Sequence, residues 1–152
     1  MAGTVKPIPA GYHTATPYMI CKPAAEAIEF YKKAFGAVEV MRMALPDGRI
    51  GHAEIKIGDS HIMLADEHPE TRAYSPQHYG GSPVSVLLYV ENADATVNAA
   101  VVSGAKITRP LKDEFYGDRA GAVVDPFGHQ WYIHTHLKDV SPEEMQNAAA
   151  GG

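Results

Sequence analysis

The sequence predicts an α+β fold made of two βαβββ modules, and three observations lead there. Two helical segments, "KPAAEAIEFYKKAFG" and "ENADATVNAAVVSGA", each follow a short strand-like run. Each is followed in turn by three strand-like stretches separated by tight-turn signals, as in a meander of half-buried strands. The whole order then occurs twice at a spacing of about 70 residues, too long for a solenoid repeat and suited to a duplicated module.

The elements follow in order. Residues 1–12 carry Pro7, Pro9 and Gly11 and read as an extended arm. The first module, residues 13–66, opens with a short strand in "TATPYMIC". Its helix places Ala24, Ala27, Ile28, Tyr31, Ala34 and Phe35 at helical spacing and ends on Gly36 in the usual C-cap position. "AVEVMRMAL", "RIGHAEIKI" and "HIMLAD" are then antiparallel strands joined by the turns "PDG" and "GDS". Residues 67–83, "EHPETRAYSPQHYGGSP", are too rich in Pro, Gly and polar groups for a regular element and are expected to be a linker or a lid. The second module, residues 84–137, repeats the order: the strand "VSVLLYV", a helix capped by Asn92 and terminated by Gly104, and the strands "KITRPLKDEFY", "RAGAVVD" and "HQWYIHTHL". Residues 138–152 form a tail expected to fray after Glu144. At 152 residues and 45% hydrophobic content, the two modules are expected to form one compact domain.

Composition removes several function classes. A net charge of −5 without any lysine or arginine cluster argues against a nucleic-acid partner. No apolar run approaches the roughly 20 residues that cross a bilayer, so no membrane partner is expected. The single cysteine, Cys21, rules out an internal disulfide. "MAGTVKPIPAGYHT" lacks the apolar core of a secretory signal, and a cytoplasmic location is the resulting expectation.

Strand alternation sorts the candidate site residues. In "HQWYIHTHL", Trp131, Ile133, Thr135 and Leu137 form the apolar set, leaving Gln130, Tyr132, His134 and His136 on the opposite face. In "GHAEIKI", Ala53, Ile55 and Ile57 form the core set, and His52 and Glu54 share the other face. These two residues suit a buried hydrogen-bonded pair, a metal-free acid–base pair, or two ligands of a metal completed by His134 or His136. In "FYGDR", the turn residues Asp118 and Arg119 either pair locally or leave Tyr116 and Arg119 at a cavity mouth, the guanidinium holding a carboxylate or phosphonate.

The set "GYHTATPY", "AIEFYKKAFGA", "DGRIGHAEI", "FYGDR", "DPFGHQW" and "VSPEEM" resembles the vicinal oxygen chelate superfamily of glyoxalase I, extradiol dioxygenases and bleomycin-resistance proteins, nearest its PhnB-like branch. The resemblance covers roughly residues 12–145. It implies a U-shaped, incompletely closed mixed sheet around a cavity, commonly completed by a second subunit, so a homodimer is expected. It also implies a metal held by one residue from each of four strands, at places that fall near Thr16, Met63, Ser85 and Tyr132 in this sequence. None of the four is a good divalent-metal ligand, and no cofactor is expected there; a divalent metal at His52, Glu54 and His134 is the alternative.

The function this implies is a glyoxalase-like small-molecule enzyme with lyase- or isomerase-type acid–base chemistry. Glu54, His52 and His134 are the expected catalytic groups, and Tyr18, Tyr116, Arg119, Tyr132 and Trp131 the expected ligand contacts. The alternative is a metal-free, bleomycin-resistance-like protein that sequesters a cationic aromatic drug against acidic and aromatic surfaces.

Overall fold

The computed structural model of the protein describes residues 3–151. Of the arm expected over 1–12 and the tail expected over 138–152, residues 1, 2 and 152 lie outside the described residues. The chain divides into two compact units, one made of the residues up to Lys32 and Gly36–Ser75, the other of Lys33–Phe35 and the residues from Pro76 onward. Each unit carries one four-stranded mixed sheet, so the α+β class and the two βαβββ modules predicted from the sequence are both present.

The first unit runs β1 (Tyr18–Ile20), α1 (Ala24–Phe35, whose last three residues count with the second unit), β2 (Val38–Ala44), β3 (Ile50–Ile57) and β4 (Ser60–Ala65). Its sheet has the order β1-β4-β3-β2, with β1 parallel to β4 and the other pairs antiparallel. Ala53, Ile55 and Ile57 are buried as their parity requires, together with Ile28, Tyr31, Ile62 and Leu64. Pro23 precedes α1 and has no side chain able to cap it. Asp66 caps it from a distance: one carboxylate oxygen accepts from the Ala24 N–H at 2.8 Å and the other from the Ile50 N–H at 2.6 Å, tying the helix start to the strand start. At the other end Gly36 takes a left-handed φ of 69°, and the N–H groups of Gly36 and Ala37 return to the carbonyls of Lys32 and Tyr31.

Residues 67–83 are more regular than expected. They contain a 3-10 turn at Pro69–Thr71 and a short helix α2 at Pro76–Tyr79. Across the turn, the Glu67 carboxylate accepts from the Ser75 N–H at 2.9 Å and from its hydroxyl at 2.6 Å, which supplies the local order that composition hides.

The second unit continues with β5 (Ser85–Tyr89), α3 (Ala93–Val102), β6 (Lys106–Asp113), β7 (Asp118–Val124) and β8 (Gln130–His136) in the sheet order β5-β8-β7-β6. Asn92 caps α3 by accepting from the Ala95 N–H at 3.0 Å, as predicted. Thr135 does for α3 what Asp66 does for α1, accepting from the Ala93 N–H and donating to the Val90 carbonyl, both at 2.8 Å. The C-terminus is a correction to the fraying tail: Pro142–Gly151 is a helix, α4. Ser141 caps it, its Oγ accepting from the Glu144 N–H at 3.1 Å and donating to the Glu144 carboxylate at 3.2 Å. Among the described residues no helix is long and apolar enough to cross a membrane.

The turn between β6 and β7 rests on Gly117, whose φ is 98°. A Cβ there would stand 2.2 Å from the Lys138 carbonyl oxygen, a backbone atom that cannot swing away. The Gly117 carbonyl in turn accepts from the N–H groups of Leu137 and Lys138. Gly117→Ala therefore combines an unfavourable backbone conformation with a steric clash and is expected to cost about 2 kcal/mol or more, read as a lowered urea midpoint. A midpoint equal to that of the native protein would contradict this turn geometry.

Candidate functional site

The second unit holds a cavity of about 280 Å³ lined by Leu87, Arg109, Glu114, Tyr116, Ala120, Gly121, Tyr132 and His134. The strand register explains it. His134 on β8 pairs with Ala120 on β7, and Tyr132 pairs with Ala122, so two small side chains leave space where larger ones would fill the sheet face.

A charged cluster underlies this cavity. Asp118 is 5% exposed and His134 6% exposed, and one Asp118 oxygen lies 2.9 Å from the His134 Nδ1. The other oxygen lies 2.7 Å from the Nδ1 of His136, whose Nε2 is 2.7 Å from Asp139. Burial alone would raise the Asp118 carboxyl, but the hydrogen bonds from His134 and His136 outweigh it and hold it below the usual carboxylate range. An ionised carboxylate only accepts, so both Nδ1 atoms donate to it. With its Nδ1–H donated to Asp118, His134 presents Nε2, which has no hydrogen-bond partner among the described residues. His136, donating to Asp118 and Asp139, is raised above its ordinary value by those two hydrogen bonds. Tyr116 stacks on His134 with ring centroids 6.1 Å apart. Its phenol is raised by burial first and by the charges of Glu114 and Asp118 next, so it remains a hydrogen-bond donor even above the pH at which an ordinary tyrosine ionises.

The first unit has its own cavity of about 440 Å³, lined by residues that include Pro7, Pro9, Tyr12, Thr16, Glu54 and Met63. The His52 Nε2 is 3.4 Å from one Glu54 oxygen, the Tyr12 hydroxyl donates to the other, and the Tyr18 hydroxyl is 3.1 Å from the His52 Nδ1. Tyr12 also stacks on His61 at 4.0 Å and is raised chiefly by its hydrogen bond to Glu54. Parity thus places His52 and Glu54 together, with Tyr18 beside them. His134, Tyr116 and Tyr132 gather in the second unit instead.

Two expected ligand contacts are placed elsewhere. Trp131 is fully buried and its indole N–H is donated to Asp125 at 2.9 Å, so it is a core residue. Arg119 is engaged by Asp94 through two nitrogens at 2.7 and 3.0 Å and by Asp113 at 3.0 Å, so its fork is closed by the protein itself. Nor does it pair with Asp118, because neighbours along a strand point to opposite faces. Asp118 and Arg109 are the site residues that sequence reasoning missed; Arg109 carried no signal beyond its charge in "KITRPLKDEFY".

The four positions implied for a metal do not fit one. Thr16 and Met63 line the first cavity, Tyr132 lines the second, and Ser85 lies on β5 opposite Gln130. Neutral hydroxyls and a soft thioether make a poor donor set for a hard or borderline divalent ion. Among the described residues no three His, Cys, Asp or Glu side chains converge as a metal site requires, the His52–Glu54 pair included.

Comparison with known proteins adds to this geometry. The model of the Glyoxalase/Bleomycin resistance protein/Dioxygenase superfamily matches residues 13–133. The chain is similar to the protein Mb0911c of Mycobacterium bovis, with 39% identity over 136 residues that cover 88% of this chain and 90% of that protein. The X-ray structure of the At5g48480 gene product of Arabidopsis thaliana superposes with a TM-score of 0.64 at 28% identity, over 80% of this chain and 98% of that chain. A PhnB protein of Bacillus cereus shares the fold with a TM-score of 0.61 at 18% identity, over 81% of this chain and 99% of that chain.

Proposed function

Because the chain belongs to the Glyoxalase/Bleomycin resistance protein/Dioxygenase superfamily, we propose that its second-unit cavity performs lyase- or isomerase-type acid–base chemistry on a small carbonyl compound. The observation that carries this reading is the Asp118–His134 pair at 2.9 Å, which leaves the other imidazole nitrogen, on a residue that lines the cavity, without a partner among the described residues. In the proposed step His134 Nε2 takes a proton from a carbon next to the carbonyl. The C–H electron pair moves onto the carbonyl oxygen as an enolate, and Tyr116 donates a hydrogen bond to that oxygen. Returning the proton to the other face of the same carbon completes an epimerisation; with an α-hydroxy ketone, returning it to the former carbonyl carbon while the hydroxyl proton passes to the enolate oxygen completes an isomerisation. Asp118 holds the tautomer and balances the imidazolium formed.

The test is exchange of the α-proton for deuterium, followed by proton NMR in heavy water with a panel of α-keto acids, α-hydroxy ketones and aromatic ketones. The native protein is expected to speed exchange of at least one of them, and His134→Asn to slow that exchange by about 100-fold or more. Exchange at the buffer rate with every compound would overturn the acid–base reading. Saturable binding without exchange would favour sequestration, the second reading, which the apolar and aromatic lining of Leu87, Tyr116 and Tyr132 supports. Arg109 in the same lining argues against a cationic drug as the sequestered ligand.

A further inference from the structure

We infer that Arg109 makes the second-unit cavity selective for a small carboxylate carrying a flat apolar body; this rests on reading that cavity as the ligand site. Across the sheet Arg109 on β6 pairs with Ala122 on β7, Ala122 with Tyr132 on β8, and Tyr132 with Leu87 on β5, so the four stand in one row. Ala122 is too small to separate its neighbours, and the guanidinium carbon lies 6.0 Å from the centre of the Tyr132 ring. The ring attracts the cation without consuming its N–H donors. Arg109 forms no ion pair and no side-chain hydrogen bond among the described residues, whereas Arg119, the arginine the sequence singled out, is closed by Asp94 and Asp113.

The other charges near the cavity are matched. Glu114 has Lys112 at 3.7 Å, and Asp118 has His134 and His136. Among the described residues Arg109 is therefore the one lining charge left without a partner of opposite sign, and a planar fork of N–H donors accepts a carboxylate through two parallel hydrogen bonds. Leu87, Ala120, Tyr116 and Tyr132 supply the apolar surface for the remainder of the molecule.

Benzoylformate is a suitable probe: it has the carboxylate, the carbonyl and the ring, but no α-proton, so binding is measured apart from any exchange. Its neutral partner is benzoylformamide. Calorimetric titration of the native protein is expected to show tighter binding of the acid than of the amide. Arg109→Met should weaken the acid about 10-fold or more and leave the amide within about twofold, with Arg109→Lys between. Arg109 is exposed on an edge strand, and a thermal melt of each variant verifies the fold. Equal binding of acid and amide, no effect of Arg109→Met on the acid, or no saturable acid binding at millimolar concentration would each overturn the inference. Binding that depends on Arg109 without α-proton exchange of any panel compound sinks the acid–base function alone. Exchange that depends on His134 with acid binding indifferent to Arg109 sinks this inference alone.

Discussion

Asp118→Asn is expected to slow α-proton exchange by about 100-fold or more and to flatten the pH dependence of stability. The native carboxylate accepts from two imidazoles at once. An asparagine amide offers one acceptor and one donor to those two N–H groups, so one ring must lose its bond or change tautomer. If His134 turns its lone pair to the amide, Nε2 carries the proton and presents a donor where the reaction needs an acceptor. The stability effect has a definite sign. Asp118 has a lowered pKa in the folded protein, so its contribution is present above the unfolded carboxyl value of about 4 and is lost as pH falls through the folded value. His136 has a raised pKa, so its contribution is full below the unfolded histidine value of about 6.5 and is lost as pH rises through the folded value. The two overlap most between about pH 4 and 6.5. Urea unfolding of native and variant protein across pH 3 to 9 is expected to show the two curves furthest apart in that window. Parallel curves, or an unchanged His136 titration by NMR in the variant, would contradict the shared-carboxylate arrangement.

Trp131→Ala is expected to cost about 3–5 kcal/mol, a large share of the stability of a protein this size. The ring is fully buried, and its removal leaves a cavity on the core face of β8 beside Ile133 and Val123, which are also fully buried. The indole has a second task. Asp125 accepts from the Phe127 and His129 N–H groups and from the Trp131 indole, each at 2.9 Å, so the turn before β8 is built around one buried carboxylate. Trp131→Phe keeps most of the volume and removes the donor, and about 1–3 kcal/mol is expected from that alone. The single tryptophan is the main fluorophore, so both variants are best followed by circular dichroism. A Phe variant as stable as the native protein would show that the Asp125 contact contributes nothing beyond packing.

How far the sequence could be read depended on whether partners are local. Helix periodicity, the Gly36 and Gly104 terminators and the Asn92 cap are settled within a few residues of chain, and each appears in the structure as predicted. Alternation along one strand separated Trp131 and Ile133 from Tyr132 and His134 because successive side chains in a pleat face opposite ways. The same rule, applied to Asp118 and Arg119, excludes their pairing once both are known to lie on β7; the turn signal in "FYGDR" set the strand start too late to use it. The Ser141 cap of α4 was also local, and "SPEE" is its legible signature.

By itself, then, the sequence determined the element order, the duplication, the buried faces of β3 and β8 and the absence of an internal disulfide, all of which follow from short-range periodicity and composition. The tertiary structure alone decided the chemistry of the site. Asp118 meets His134 and His136 across 16 and 18 residues, Arg119 is closed by Asp94 across 25, and Arg109 lies over Tyr132 with no counter-ion among the described residues. Charge selects partners by distance in space, and that distance is set by the β6-β7-β8 register, which no local pattern specifies.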